Sequence, residues 1–90
     1  MHQYSDDPEP QDAGEEGYGV ESSGPGGAEF RRRYYSTAEK ADRVATGLKN
    51  NPNITIVRRW DPSPSGFMLR DNWERGQKVS LKDASKRLDQ

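Results

Sequence analysis

Residues 36–51 read STAEKADRVATGLKNN, and this stretch predicts the helix around which the rest of the fold is arranged. Its apolar side chains recur every three or four residues and would share one helix face: Ala38, Ala41, Val44, Ala45 and Leu48. Ser36 and Glu39 have the spacing of a capping box, in which each side chain accepts a hydrogen bond from the other residue's backbone N–H. Pro52 disfavours helical dihedral angles at Asn51 and therefore ends the helix.

Strand signals flank this helix on both sides. Residues 30–35 read FRRRYY, and because alternate strand residues face opposite sides, the even-numbered and odd-numbered members would lie on different faces. Residues 54–60 (ITIVRRW) are rich in β-branched side chains and predict a second strand. The turn-forming residues 61–66 (DPSPSG) separate it from a third strand at 67–73 (FMLRDNW), so the two strands form a predicted hairpin with a wide loop.

A short second helix is predicted after a turn at residues 74–77. Ser80 would be its N-cap and Asp83 its third helical residue, with Leu81, Ala84 and Leu88 along one face. The predicted order is β-α-β-β-α, and a right-handed crossover through the first helix sets the first two strands parallel. The predicted fold class is therefore α+β, a small three-stranded sheet with helices on one face.

The charges are sorted along the chain rather than mixed. Residues 1–28 carry seven acidic side chains and no Lys or Arg, a net of −7, whereas residues 29–90 carry fourteen basic and eight acidic side chains, a net of +6. The first segment also holds six of the nine glycines and three of the six prolines. It cannot bury enough apolar surface to offset the entropy of ordering it. We therefore predict a disordered acidic arm at 1–28, with a flexible linker at 22–27, and a folded domain at 29–90.

Catalytic chemistry has little support in this composition. The chain has no cysteine, and its single histidine, His2, lies in the predicted arm. Thiolate, disulfide and His-based acid–base or metal chemistry therefore have no residues to use. We expect a non-enzyme without a cofactor or a metal. The lack of a long apolar run and of a secretory signal predicts no membrane partner and a cytoplasmic protein, or a nuclear one if the source is eukaryotic.

Arginine and aromatic residues are interleaved on all three predicted strands. Guanidinium groups neutralise phosphates and aromatic rings stack on unpaired bases, so this pattern is typical of surfaces that hold single-stranded nucleic acid. We expect the sheet to bind single-stranded nucleic acid or another polyanion, with the acidic arm competing for the same surface. The predicted contact residues are five arginines for phosphate and three rings for stacking: Arg31, Arg33, Arg58, Arg59 and Arg70, with Tyr35, Trp60 and Trp73.

Other interpretations stay open beside this one. The two tryptophans could be core residues, the arginines a solvated face and the arm only a solubilising tail. The thin core, an unpaired sheet edge and a short amphipathic helix also fit a protein–protein interaction module, such as a regulator, adaptor or inhibitor of a larger complex, or a homodimer. Solvent-exposed tryptophans beside arginines would favour nucleic acid, whereas buried tryptophans with an uncovered apolar edge would favour a protein partner.

Overall fold

The computed structural model describes residues 9–23 and 30–88 of the 90-residue chain. Within them, one antiparallel sheet of five strands and two helices form a small α+β fold. The strands lie side by side in the order β2-β1-β3-β4-β5. In chain order the elements are β1 (Tyr18–Ser23), β2 (Phe30–Tyr35), α1 (Ala38–Lys49), β3 (Ile56–Ser63), β4 (Gly66–Glu74), β5 (Gln77–Val79) and α2 (Leu81–Leu88).

The prediction of a three-stranded sheet is wrong, because the sheet has two additional strands, β1 and β5. β1 comes from residues 18–23, which the sequence analysis assigned to the acidic arm, and it lies between β2 and β3, antiparallel to both. β2 and β3 are therefore parallel to each other, as a crossover through α1 requires, but they are not neighbours. β5 pairs with β4 next to the predicted turn. Residues 22 and 23 of the predicted linker at 22–27 belong to β1 instead. The rest of that linker and residues 1–8 of the predicted disordered arm lie outside the described residues.

Two tight turns connect β3, β4 and β5. Ser63 pairs with Gly66, so the predicted hairpin is present but its loop has two residues rather than the predicted wide connection. The β4–β5 loop consists of Arg75 and Gly76, whose φ angles are both positive, at 52° and 80°. Positive φ at both loop residues is the geometry of a type I′ turn, whose twist matches the right-handed twist of paired strands.

α1 begins one residue later than the capping box predicts. Thr37 rather than Ser36 is the N-cap, and its hydroxyl accepts a hydrogen bond from the Lys40 backbone N–H at 3.1 Å. Ser36 is engaged elsewhere, because its N–H and its hydroxyl donate to the two carboxylate oxygens of Asp12 at 2.9 and 3.0 Å. A residue of the acidic segment therefore fixes the entry to the helix, where the helix dipole also favours a negative charge.

The hydrophobic core lies between α1 and one face of the sheet. The helix contributes the predicted face, in which Ala38 is only half-buried and the others are buried: Ala41, Val44, Ala45 and Leu48. The sheet contributes one residue from each of three strands, namely Val20 of β1, Tyr35 of β2 and Val57 of β3. Trp73 of β4 packs against this cluster from the side. Few of these side chains are large, as the sequence analysis expected.

α2 follows β5 directly and contacts β4. The Ser80 hydroxyl accepts a hydrogen bond from the Asp83 backbone N–H at 3.2 Å, which confirms the predicted N-cap. Ala84 of this helix is buried, whereas Leu81 is exposed. The helix therefore begins where the sequence predicted. Its buried residue, Ala84, is on the part of the helix that covers the sheet.

An arginine is the largest fully buried side chain among the described residues. Arg59 of β3 points to the same face as Val57, and its side chain is 0% exposed. Its Nε donates to Asp42 Oδ1 of α1 at 2.9 Å, and its Nη1 donates to Asp61 Oδ1 at 2.9 Å. Its guanidinium carbon also lies 5.4 Å from the centre of the Tyr18 ring. These contacts attach the helix to the sheet where apolar volume is scarce.

We expect the two carboxylates of Arg59 to substitute for each other. Asp42→Asn or Asp61→Asn alone leaves one counter-ion and should cost about 1–2 kcal/mol in the free energy of unfolding. The double variant leaves a buried charge uncompensated and should cost about 3–5 kcal/mol, more than the sum of the single changes. Urea unfolding measures these values, with Glu39→Gln on the same helix as the control. A double variant that costs no more than the sum would contradict the shared role.

The contacts of Asp12 predict a pH dependence of stability. Hydrogen bonds donated by the Lys40 ammonium and by Ser36 lower the pKa of Asp12 from 3.8 to about 2. Because the folded-state pKa lies below the unfolded value, these contacts stabilise the fold above about pH 4, and the contribution is lost as the pH falls towards 2. An NMR titration of the Asp12 carboxyl carbon should give this low midpoint. Lys40→Met should raise it, and the control Lys82→Met should not.

Candidate nucleic-acid interface

The pairing register divides the side chains of the sheet between two faces. We define the α1 face as the one that carries Val20, Tyr35 and Val57, which contact the helix. The opposite side, here called the open face, carries the residues that alternate with these. They include Gly19 and Glu21 of β1, Phe30, Arg32 and Tyr34 of β2, Arg58 and Trp60 of β3, and Phe67, Leu69 and Asn72 of β4.

A row of charged and polar side chains crosses the middle of the open face. Glu21 pairs directly with Arg32 on one side and with Arg58 on the other. Its carboxylate accepts hydrogen bonds from Arg32 Nη2 at 3.0 Å, from Arg58 Nη1 at 3.2 Å and from Trp60 Nε1 at 3.3 Å. Arg58 Nε also donates to Asn72 Oδ1 of β4 at 3.1 Å. We call Arg32, Glu21, Arg58 and Asn72 the Glu21 row.

Aromatic rings lie on both sides of the Glu21 row. The guanidinium carbon of Arg32 is 5.5 Å from the centre of the Trp60 ring, and that of Arg58 is 4.9 Å from the centre of the Phe30 ring. Both distances are within the range of cation–π attraction. On the far side of Arg32, the rings of Tyr34 and Phe67 meet at 5.7 Å with a tilt of 38°. Cations and rings therefore lie together on β2 and β3, on either side of β1, and Phe67 adds a ring from β4.

Gly19 lies between two of these ring-bearing residues, where little room is left for a side chain. Gly19 pairs with Tyr34 on one side and with Trp60 on the other. A Cβ atom at this position would lie 3.3 Å from the Trp60 Cβ and 3.8 Å from the Tyr34 Cε1. The first distance is tighter than ordinary van der Waals contact. A larger residue here would therefore push Trp60 away from β1.

The row keeps a positive charge despite its carboxylate. Burial by itself would lower the pKa of Arg32, but hydrogen bonds with Tyr34 and Glu21 raise the pKa, and the net direction is upward. Two guanidinium groups and one carboxylate give the row a net charge of +1. The Arg32 side chain is 39% exposed, whereas the side chains of Arg58 and Glu21 are 14% and 13% exposed. Solvent therefore reaches the row mainly at β2.

The structure divides the eight predicted contact residues. Arg58 and Trp60 lie on the open face, and Trp60 is half-buried rather than fully exposed. Arg70 lies at an irregularity where β4 shifts register against β3, and it pairs with Asp61 at 3.3 Å. The other five lie on the α1 face: Arg31, Arg33, Tyr35, Arg59 and Trp73.

Two of the five residues on the α1 face are fully buried. Tyr35 is 0% exposed and donates its hydroxyl hydrogen to the Glu9 backbone carbonyl at 2.5 Å. This burial raises the pKa of the Tyr35 hydroxyl. Arg59 is the buried arginine described above. Trp73 is half-buried, with the Lys49 ammonium 5.6 Å from its ring centre. Tyr35 and Arg59 therefore contribute to the core rather than to an accessible surface.

Sequence reasoning missed six residues of this arrangement: Glu21, Phe30, Arg32, Tyr34, Phe67 and Asn72. The alternation in residues 30–35 correctly separates the two faces of β2, but it does not say which face the helix covers. The predicted second strand, residues 54–60, does not decide this either, because Ile56 and Val57 are both apolar and face opposite sides of the sheet. Glu21 was assigned to the arm, where no local signal marks a strand.

The chain matches no known protein family, no curated protein and no solved structure. Within residues 9–23 and 30–88, no group of three or more metal-ligating side chains is placed to hold an ion. The helices in these ranges are too short and too polar to cross a membrane.

We expect Glu21 to be important for stability as well as for the open face. Glu21→Gln removes the charge that both arginines share, and it should lower the free energy of unfolding by about 1–3 kcal/mol. Glu15→Gln, an exposed change in the same acidic segment, should have little effect and serves as the control. Urea unfolding followed by tryptophan fluorescence measures both variants. An unchanged stability of Glu21→Gln would show that the ion pairs do not hold the strands together.

Proposed function

We propose that this protein is a non-catalytic binding protein whose open face contacts single-stranded nucleic acid or another polyanion. The observation that supports this most is the interleaving of rings and guanidinium groups on β2 and β3, the two strands on either side of β1. The interleaving reaches solvent at β2, where Phe30 is 45% exposed and the Arg32 side chain follows two residues later. A surface of this kind offers both of the contacts that a single strand uses, stacking and phosphate neutralisation.

The aromatic contacts favour a single strand over a duplex. Bases stack on protein rings only when their faces are free, and each such contact contributes about 1–3 kcal/mol. Phe30 is the most exposed ring of the open face, and Tyr34, Trp60 and Phe67 lie half-buried on the other side of the Glu21 row. The proposed strand of nucleic acid would therefore cross β2 and continue towards β4.

The two arginines of the Glu21 row supply the proposed phosphate contacts. Both are already held in place by the Glu21 carboxylate and by the ring that each one covers. A positioned side chain loses less conformational entropy on binding than a mobile one. Because Glu21 neutralises one of the two charges, the long-range attraction of the row for phosphate is modest.

The acidic segment has contacts that support the proposed mask. Among the described residues 9–23, three carboxylates pair with cations of the rest of the chain. Glu9 contacts Arg43 at 3.0 Å, Asp12 contacts Lys40, and Glu21 contacts both arginines of the row. Each pair lowers the charge available to a polyanion. We propose that the segment suppresses nonspecific binding of polyanions. Stacking then contributes a larger share of the binding affinity relative to electrostatic attraction.

A matched pair of arginine variants tests the proposed surface. Arg32 and Arg43 are both solvent-accessible, and each pairs with a carboxylate of the acidic segment. Arg32→Ala should weaken binding of oligo(dT) or oligo(U) by about tenfold, whereas Arg43→Ala should change it by less than about twofold. A Trp73→Phe background leaves Trp60 as the single tryptophan, so that quenching of its fluorescence reports contact at the open face. Equal losses in the two variants would contradict the assignment.

Removing the shared carboxylate should have the opposite effect. We expect Glu21→Gln to tighten oligonucleotide binding by about three- to tenfold at low salt, because two guanidinium groups lose their counter-ion. Duplex DNA should bind more weakly than either single strand, and all binding should weaken as salt rises. If neither the native chain nor this variant binds a single strand at low salt, the nucleic-acid function is wrong and a protein partner becomes the better hypothesis.

A further inference from the structure

β2 forms one edge of the sheet, and part of that edge is occupied by the acidic segment. The Tyr34 backbone carbonyl accepts a hydrogen bond from the Asp12 N–H at 3.2 Å. The Tyr34 backbone N–H donates to the side-chain Oε1 of Gln11 at 3.3 Å. Both main-chain groups of Tyr34 therefore point away from β1, towards a stretch of chain that lies outside the sheet.

Arg32 has the same orientation at this edge as Tyr34. Alternate residues of an antiparallel strand direct their N–H and C=O groups to the same side, so those of Arg32 and Phe30 also point outward. In the described part of the chain, no backbone group bonds to Arg32 on that side. The stretch that contacts Tyr34, residues 9–12, leads towards α1 rather than along β2, because the Glu9 carboxylate pairs with Arg43 of that helix at 3.0 Å.

We propose that the amino-terminal half of this edge, residues 30–33, binds an extended acidic segment of a partner protein as an added strand. Side chains of an added strand alternate between the two faces of the sheet. The edge has basic side chains on both, with Arg32 on the open face and Arg33 on the α1 face. Carboxylates of the partner would therefore lie beside a guanidinium group on either face.

A second copy of this chain fits the edge poorly. Two β2 strands paired with each other would bring their arginines together, and like charges on directly opposite residues destabilise a strand pair. Charged side chains on an edge strand protect it in this way against self-association. An acidic segment has the complementary charge, and at Tyr34 the same edge already bonds to Gln11 and Asp12 of the chain's own acidic segment. The inference concerns the main chain of β2 and does not depend on nucleic-acid binding by the open face.

Hydrogen exchange of the full-length protein with a designed peptide tests this docking mode. The probe is a blocked hexapeptide of alternating Glu and Val, and its control is the same peptide with a methyl group on every backbone nitrogen. The control keeps every charge but cannot form a strand ladder. We expect the first peptide to slow exchange of the Arg32 amide, and the second to leave it unchanged.

Three results of this experiment would overturn the proposal. Slow exchange of the Arg32 amide in the free protein at all concentrations would mean that the chain's own residues fill the edge. Protection that grows with protein concentration alone would mean that a second copy fills it. Equal protection by oligo(dT) would assign the edge to nucleic acid.

Two variants at one position separate strand pairing from charge. Arg32→Ala and Arg32→Pro both remove the guanidinium group, but only proline also removes the outward N–H. Proline is tolerated on an edge strand when its nitrogen faces solvent. We expect Arg32→Pro to weaken peptide binding about tenfold more than Arg32→Ala, with matching circular dichroism spectra for the two variants. Equal losses would show that the peptide is held by charge alone, and the proposed added strand would be wrong.

Discussion

The sheet depends on one carboxylate near its centre. Glu21 lies on the strand between β2 and β3 and is directly opposite Arg32 on one and Arg58 on the other. A shift of one residue would turn Glu21 to the α1 face, where it would meet the apolar core, and would leave both arginines without their shared counter-ion. In most sheets an apolar stripe sets the register. Here the pairing of three strands is specified largely by charge, because few apolar side chains are available to specify it.

The same shortage explains why an arginine belongs to the core. Val20, Val57 and the alanines of α1 leave volume between helix and sheet that the long side chain of Arg59 occupies. Its charge is compensated by Asp42 and Asp61, one on the helix and one on the sheet. Such a pair contributes less to net stability than apolar packing would, but breaking it is costly. The orientation of α1 over the sheet is therefore fixed by polar geometry as well as by burial.

Local patterns in the sequence predicted the elements whose signals are local. The apolar face of α1, the β3–β4 hairpin and the Ser80 cap follow from residue spacing, and the structure confirms them. β1 could not be found in this way, because residues 18–23 (YGVESS) combine few β-branched residues with glycine, serine and glutamate. β1 is stabilised as a strand by its neighbours β2 and β3, which place an arginine on each side of Glu21. The start of α1 was misplaced for the same reason, since Asp12 binds Ser36 from a distant part of the chain.

The position of Glu21 determines what kind of mask the acidic segment can form. A carboxylate on a flexible tether competes with a ligand and is displaced when the ligand binds. Glu21 cannot leave the open face unless β1 leaves the middle of the sheet, which would also remove Val20 from the core. It acts as a fixed counter-ion, whereas Glu9 pairs with an exposed arginine and can exchange it for solvent at little cost. In the proposed complex a polyanion would therefore meet two positioned guanidinium groups of reduced charge, and the rings beside them would supply much of the affinity.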